Sequence, residues 1–168
     1  MLVRHAQTMA AYNRWMNDKL YAVCAQLTDA ERKADRKSFF GSIHATLNHL
    51  LLADKVWFGR FTRKPFVVKG LDQELYAEFG ALRAERVETD QDIEGWTAAL
   101  TDEELERKLH YTSISNPAPR STDLWLAVTH FFNHQTHHRG QVTALLSQCG
   151  KDYGVTDLIA LPEIQPRA

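Results

Sequence analysis

Four long stretches of this sequence repeat apolar residues at three- and four-residue steps, which restricts the chain to amphipathic helices packed against one another. From Leu2 to Leu27 the residues Met9, Tyr12, Met16, Leu20, Val23 and Leu27 mark one face. Phe39 and Phe40 are predicted to open a second helix, with Ile43, Leu47, Leu50, Leu51, Trp57, Phe58 and Phe61 on its apolar side. Pro65 and Gly70 end it. A third is predicted from Gln73 to Leu100, capped by Asp72, with Leu75, Phe79, Leu82, Ile93, Trp96 and Leu100 inward. The last is capped by Ser121 or Thr122, runs to Gln148 and stops at Gly150.

Thr28-Asp29-Ala30-Glu31 and Thr101-Asp102-Glu103-Glu104 both have the capping-box form, so each predicts a short helical turn. The charged run Glu31 to Lys37 reads as solvated connection. Tyr111 to Pro119, with β-prone residues and two prolines, reads as a short extended excursion before the last helix. The tail from Asp152 carries Val155, Leu158, Ile159 and Leu161 and ends in Pro162 and Pro166; it is expected to pack on the helices or on a second subunit. Four amphipathic helices in 168 residues imply an all-α four-helix bundle and a single domain over 1–168. The connections after the second helix are long enough to cross the bundle, so simple up-down-up-down order is not imposed.

Composition excludes several function classes. The formal net charge is −1 and no basic stripe stands out, which argues against a nucleic-acid partner. No apolar run approaches the roughly 18 residues of a transmembrane helix, and the start lacks a signal-peptide pattern, so no membrane partner is expected. Cys24 and Cys149 form no CxxC pair, which points to a reducing, cytoplasmic setting. Trp15, Trp57, Trp96 and Trp125, at helical spacing, read as core or dimer-interface packing.

The chemistry concentrates near the end. Four of the eight histidines lie between His130 and His138. His134 and His138, four residues apart, stand about 40° apart on one helix face and roughly 6 Å apart in rise. They share the interior stripe of Ala127, Phe131, Val142 and Leu145, and two imidazoles there can bind one metal ion. The position after the first histidine is Gln135, where a metallopeptidase would carry a general-base glutamate; glutamine cannot take that proton. His130 and His137 flank the stripe as polar contacts or solvated residues, and Arg139 reads as structural. A metal site with an open position needs a third protein ligand. The second helix offers His44 and His49, about 140° apart on its wheel. The wheel leaves both open, since His44 falls near Leu51 and Phe58, and His49 among Ala45, Thr46, Ala53 and Val56.

Gly41-Ser42-Ile43-His44-Ala45-Thr46-Leu47-Asn48-His49-Leu50-Leu51 and Asn133-His134-Gln135-Thr136-His137-His138-Arg139-Gly140-Gln141 resemble the DinB family, within the DinB/YfiT-like superfamily. Tyr12 to Asn17 and Asp152 to Ile159 resemble it as well, so the likeness covers nearly the whole chain. The resemblance implies an up-down-down-up bundle, a homodimer, and a divalent metal held by His49, His134 and His138. Zinc or nickel comes first as the ion, iron or manganese next, since three histidines suit several metals. It leaves His44 as a buried hydrogen-bonding residue. The family's name reflects DNA-damage induction, a matter of regulation.

Relatives in the superfamily include thiol-dependent transferases and isomerases and metal-dependent hydrolases. The resemblance therefore implies a small-molecule substrate and an enzyme that activates a low-molecular-weight thiol for transfer to a small electrophile. The alternatives are a hydrolase using metal-bound water and a non-catalytic metal-binding dimeric stress protein.

Overall fold

A computed structural model describes residues 1–114 and 116–165. Ser115, inside the excursion, and Pro166, in the tail, lie outside the described residues. The chain runs α1 (Leu2–Cys24), α2 (Asp29–Lys33), α3 (Ile43–Phe61), α4 (Phe79–Ala99), α5 (Asp102–Glu106), β1 (Lys108–Thr112), β2 (Pro119–Asp123) and α6 (Leu124–Gln148). Two short 3-10 turns, Leu158–Ala160 and Pro162–Ile164, follow. The protein is mainly helical, with one small antiparallel hairpin in which Lys108 pairs with Asp123 and Thr112 with Pro119. None of the helices is long and apolar enough to cross a membrane, among the described residues.

Both capping boxes form, each threonine hydroxyl accepting from the N–H three residues on while the glutamate reaches back. Three boundaries differ from the sequence expectation. The second long helix begins at Ile43, because Ser42 takes the cap and accepts from the Ala45 N–H. Phe39 and Phe40 lie in the turn before it, where Gly41 at φ 78° reverses the chain. The third begins at Phe79 and not Gln73. Leu75 and Tyr76 instead give their N–H groups to the Asn48 side-chain oxygen, both at 2.9 Å, which holds 71–76 as a loop over α3. Asp72 is therefore no cap. The last helix begins at Leu124, because Ser121 and Thr122 are still paired in β2.

Among the long helices, α1 packs on α4 and α6, and α3 packs on the same two. One apolar cluster gathers Leu20, Leu47, Leu51, Leu82 and Leu146. A second gathers Phe61, Ile93, Leu124, Phe131 and Phe132. On each long helix a buried polar position falls between the two. Arg86 bonds Asp54 at 2.5 Å and Asp90 at 2.8 Å. Asn13 and Asn17 donate to Asp90 at 2.9 and 3.1 Å, Gln135 donates to Asp54, and Arg139 to Asn13. Two carboxylates and two guanidiniums thus form a closed network tying together all four long helices. Arg139 is structural, as its sequence position suggested, and faces inward to the buried Asn13.

Trp96 stacks on Phe61 with ring centroids 5.0 Å apart, as core packing. Trp57 packs against the second cluster through Phe61, with ring centroids 5.9 Å apart, and its other side lines an open cleft.

Candidate metal centre

Histidines 49, 134 and 138 come together where α3 and α6 face each other. One ring nitrogen from each lies within 4.8 Å of the others. The His134 and His138 Nε2 atoms are 3.0 Å apart. The His49 ring centroid is 5.4 Å from that of His134 and 4.6 Å from that of His138. Helical geometry explains the pair on α6, since i and i+4 share a face. α3 supplies the third from the opposite wall.

The outer nitrogens fix the tautomers. His49 Nδ1 lies 2.9 Å from the Leu71 carbonyl, and His138 Nδ1 lies 2.8 Å from Gln141 Oε1. A carbonyl oxygen only accepts, so both Nδ1 atoms carry the proton and both Nε2 lone pairs face the centre. The Leu71 carbonyl is available because the Asn48 side chain holds its loop. His134 Nδ1 is buried with no hydrogen-bond partner. Burial and the neighbouring imidazoles push His134 down to about 3. Burial also lowers His49 and His138 below the ordinary histidine value. His49 and His138 thus aim lone pairs at the centre, His134 Nε2 lies 3.0 Å from His138 Nε2, and three neutral imidazoles converging in this way are a donor set suited to a divalent cation.

Phe40 closes one side. Its ring stacks on His49 with centroids 4.0 Å apart and meets His138 edge-on at 5.4 Å. The displaced start of α3 thus supplies a wall to the site.

The other histidines divide clearly. His44 is fully buried, and its Nε2 lies 2.9 Å from the Tyr76 carbonyl, away from the three. His130 lines a cleft of about 290 Å³ that His49 and His134 also line. His137 and His138 line a second cleft of about 500 Å³ with Phe39, Phe40 and Asp72. Both flanking histidines therefore border space next to the centre. Gln135 is fully buried and points to Asp54, so the peptidase's glutamate position is turned away from the centre.

A sequence model of the DinB family matches residues 1–168. The chain belongs to the DinB family. It is also similar to Protein DinB of Bacillus subtilis (strain 168), 28% identical over 153 residues that cover 87% of each chain. Both findings agree with the resemblance carried by the two histidine words.

Sequence reasoning missed four neighbours of the centre. Asn48 and Gln141 each left a signal, one beside His49 and the other one turn beyond His138. Phe40 was assigned to a helix. Arg60, whose guanidinium lies over Trp57, was passed over. Its clue was its place eleven residues after His49, which returns to within about 20° of the same helix face.

Proposed function

We propose that this chain is a metal-dependent enzyme that holds a divalent ion, zinc or nickel foremost, through His49, His134 and His138 and transfers a low-molecular-weight thiol to a small electrophile. The convergence of three neutral ring nitrogens within 4.8 Å carries the reading. When bound, such an ion keeps its full positive charge and favours the thiolate, the nucleophilic form of a thiol.

The chain's own residues do the rest. Leu71 and Gln141 hold two rings with their lone pairs inward. Ala53, Val56 and Trp57 give the smaller cleft an apolar side for the electrophile. That cleft has no carboxylate among its described lining residues. A thiol ionises near neutral pH with little help from such a group, which fits thiol transfer; His130, on the same cleft, is the side chain placed to take a proton from water if the reaction is hydrolysis.

The contact pattern supports an up-down-down-up four-helix bundle beneath the site. Asp54 meets Arg86 and Phe61 meets Trp96, pairs that advance together along α3 and α4. His49 meets His138 and Phe61 meets Phe131, pairs that run oppositely along α3 and α6. Free Cys24 and Cys149 fit a reducing cytoplasm.

The test is metal content of untagged protein, with thiol transfer measured in parallel using glutathione and a model electrophile. Wild type and His44→Gln are expected to hold one ion per chain and to turn over in an EDTA-sensitive way. His49→Ala, His134→Ala and His138→Ala are expected to lose both properties. Equal metal in all five proteins, or none in any, would overturn the site. Ester hydrolysis without thiol would replace the reaction.

A further inference from the structure

The smaller cleft beside the three histidines holds one permanently charged side chain, Arg60, and no described acidic residue opposes it there. The guanidinium carbon lies 4.5 Å from the centroid of the Trp57 ring and 4.7 Å from that of Tyr111. Its Nη2 donates to the Thr112 carbonyl at 3.0 Å. No carboxylate comes within ion-pair distance of Arg60 among the described residues.

This arginine is therefore held in place without a counter-ion. Two aromatic faces offset part of its lost hydration, and one carbonyl takes one of its five N–H groups. The remaining donors form the planar fork that matches a carboxylate. Burial has already pushed the group's pKa below the ordinary arginine value. A partly desolvated, unpaired cation gains most from an incoming anion, because much of the desolvation cost is met before binding.

Its placement connects it to the centre. Arg60 follows His49 on the same face of α3, roughly 16 Å further along the axis between backbone positions. The side chain leans back toward the helix N-terminus over Trp57, as helical side chains do, which shortens that span. Both residues line the same cleft of about 290 Å³, the small end of the usual ligand-site range. The second cleft carries Asp72 and offers an anion no such partner.

We propose that Arg60 binds a carboxylate, and that the cleft takes small carboxylate-bearing molecules whose reacting group lies at His49, His134 and His138. The reacting end rests on the metal-centre reading; the carboxylate end rests on Arg60 alone.

The experiment uses ω-mercaptocarboxylic acids with two to ten methylenes and their methyl esters. Binding to the full chain is followed by ligand-observed NMR with and without zinc. At chain lengths that span the cleft, wild type is expected to bind the acid at least tenfold more tightly than the ester. Arg60→Gln is expected to bring the two within twofold, and Arg60→Lys to keep part of the preference as a point charge without the fork. A thermal melt reports whether each variant folds. If Arg60→Gln does not fold, the acid–ester ratios of wild type and Arg60→Lys decide.

Equal affinity for acid and ester at every length in wild type overturns the proposal, as does a preference that survives intact in folded Arg60→Gln. Zinc dependence is read separately. An Arg60-dependent acid preference without any zinc effect upholds the carboxylate site and removes the metal reading. Zinc-dependent thiol binding without acid preference removes the carboxylate site alone.

Discussion

Removing Arg86 tests the physical basis of the fold most directly. Arg86 is 2% exposed, and it pairs with Asp54 at 0% and Asp90 at 2%. Arg86→Met keeps much of the side-chain volume but leaves two buried carboxylates opposite one guanidinium, that of Arg139. Breaking a buried ion pair from one side costs about 3–5 kcal/mol, a large share of the roughly 5–15 kcal/mol that holds a domain together. The loss has a definite pH signature. Burial holds the Asp54 carboxyl up at about 7 even with Arg86 pulling it down. Without Arg86 it rises further, so the native variant keeps that proton above pH 7 while the unfolded chain releases it. A raised folded-state value means stability is lost as pH rises towards it. The deficit relative to wild type should therefore widen above pH 7, by up to about 1.4 kcal/mol per unit. Arg86→Met with Asp54→Asn restores charge balance between Asp90 and Arg139 and should recover at least half of the loss and remove the widening. Urea denaturation of metal-free protein at pH 6 to 9, followed by far-UV circular dichroism, reads all three quantities. A single variant within about 1 kcal/mol of wild type, or a double variant no better than the single, refutes the reasoning.

Two further outcomes concern the centre. Gln141→Leu removes the acceptor for His138 Nδ1. Zinc affinity by competition titration should fall about 10- to 100-fold, with the metal-free melt little changed; unchanged affinity would show that Gln141 does not orient the ring. The depressed histidines set the pH behaviour, with His134 at about 3 and His49 and His138 below the ordinary value. Three ordinary imidazoles would lose about fifty-fold in metal affinity between pH 7.5 and 6.0 through proton competition, from a reference value near 6.5. Less than tenfold is expected here. Since a depressed value makes stability present above 6.5 and lost as pH falls, the metal-free chain should weaken in acid below that point.

The helices were legible because their periodicity is a local property of the sequence. Three of their starts were not: the local cap at Ser42 set that of α3, and a competing partner elsewhere set those of α4 and α6. Asn48 drew Leu75 and Tyr76 out of the third helix, and pairing with β1 kept Ser121 and Thr122 extended. At the site, i and i+4 spacing gave His134 and His138, but the choice of His49 over His44 needed the family resemblance. The wheel could not show that the loop of 71–76 separates them, offering its Leu71 carbonyl to His49 and its Tyr76 carbonyl to His44. The place of Trp57 and Arg60 on a cleft was not legible for a related reason. Their cleft is closed by Tyr111 from the hairpin, and no periodicity within α3 reports where that hairpin lands.

The short stretch from His134 to Arg139 carries two interleaved i, i+4 pairs, and together they explain how the centre is held. His134 and His138 face the clefts, while Gln135 and Arg139, about 100° round the helix, face the buried network. Gln135 reaches Asp54 on α3 and Arg139 reaches Asn13 on α1. A helix held along one face by buried polar contacts to two neighbouring helices has little freedom to rotate about its axis, because any turn would leave those groups unpaired in a dry interior. The histidine pair is thereby kept pointing at His49. Gln135 thus serves the centre without touching it: the residue that removes a peptidase's base is also one that fixes α6 in rotation. Gln135→Leu, which changes none of the three histidines, should therefore weaken zinc binding in competition titration while the protein still folds, a loss that a role confined to the core would not produce.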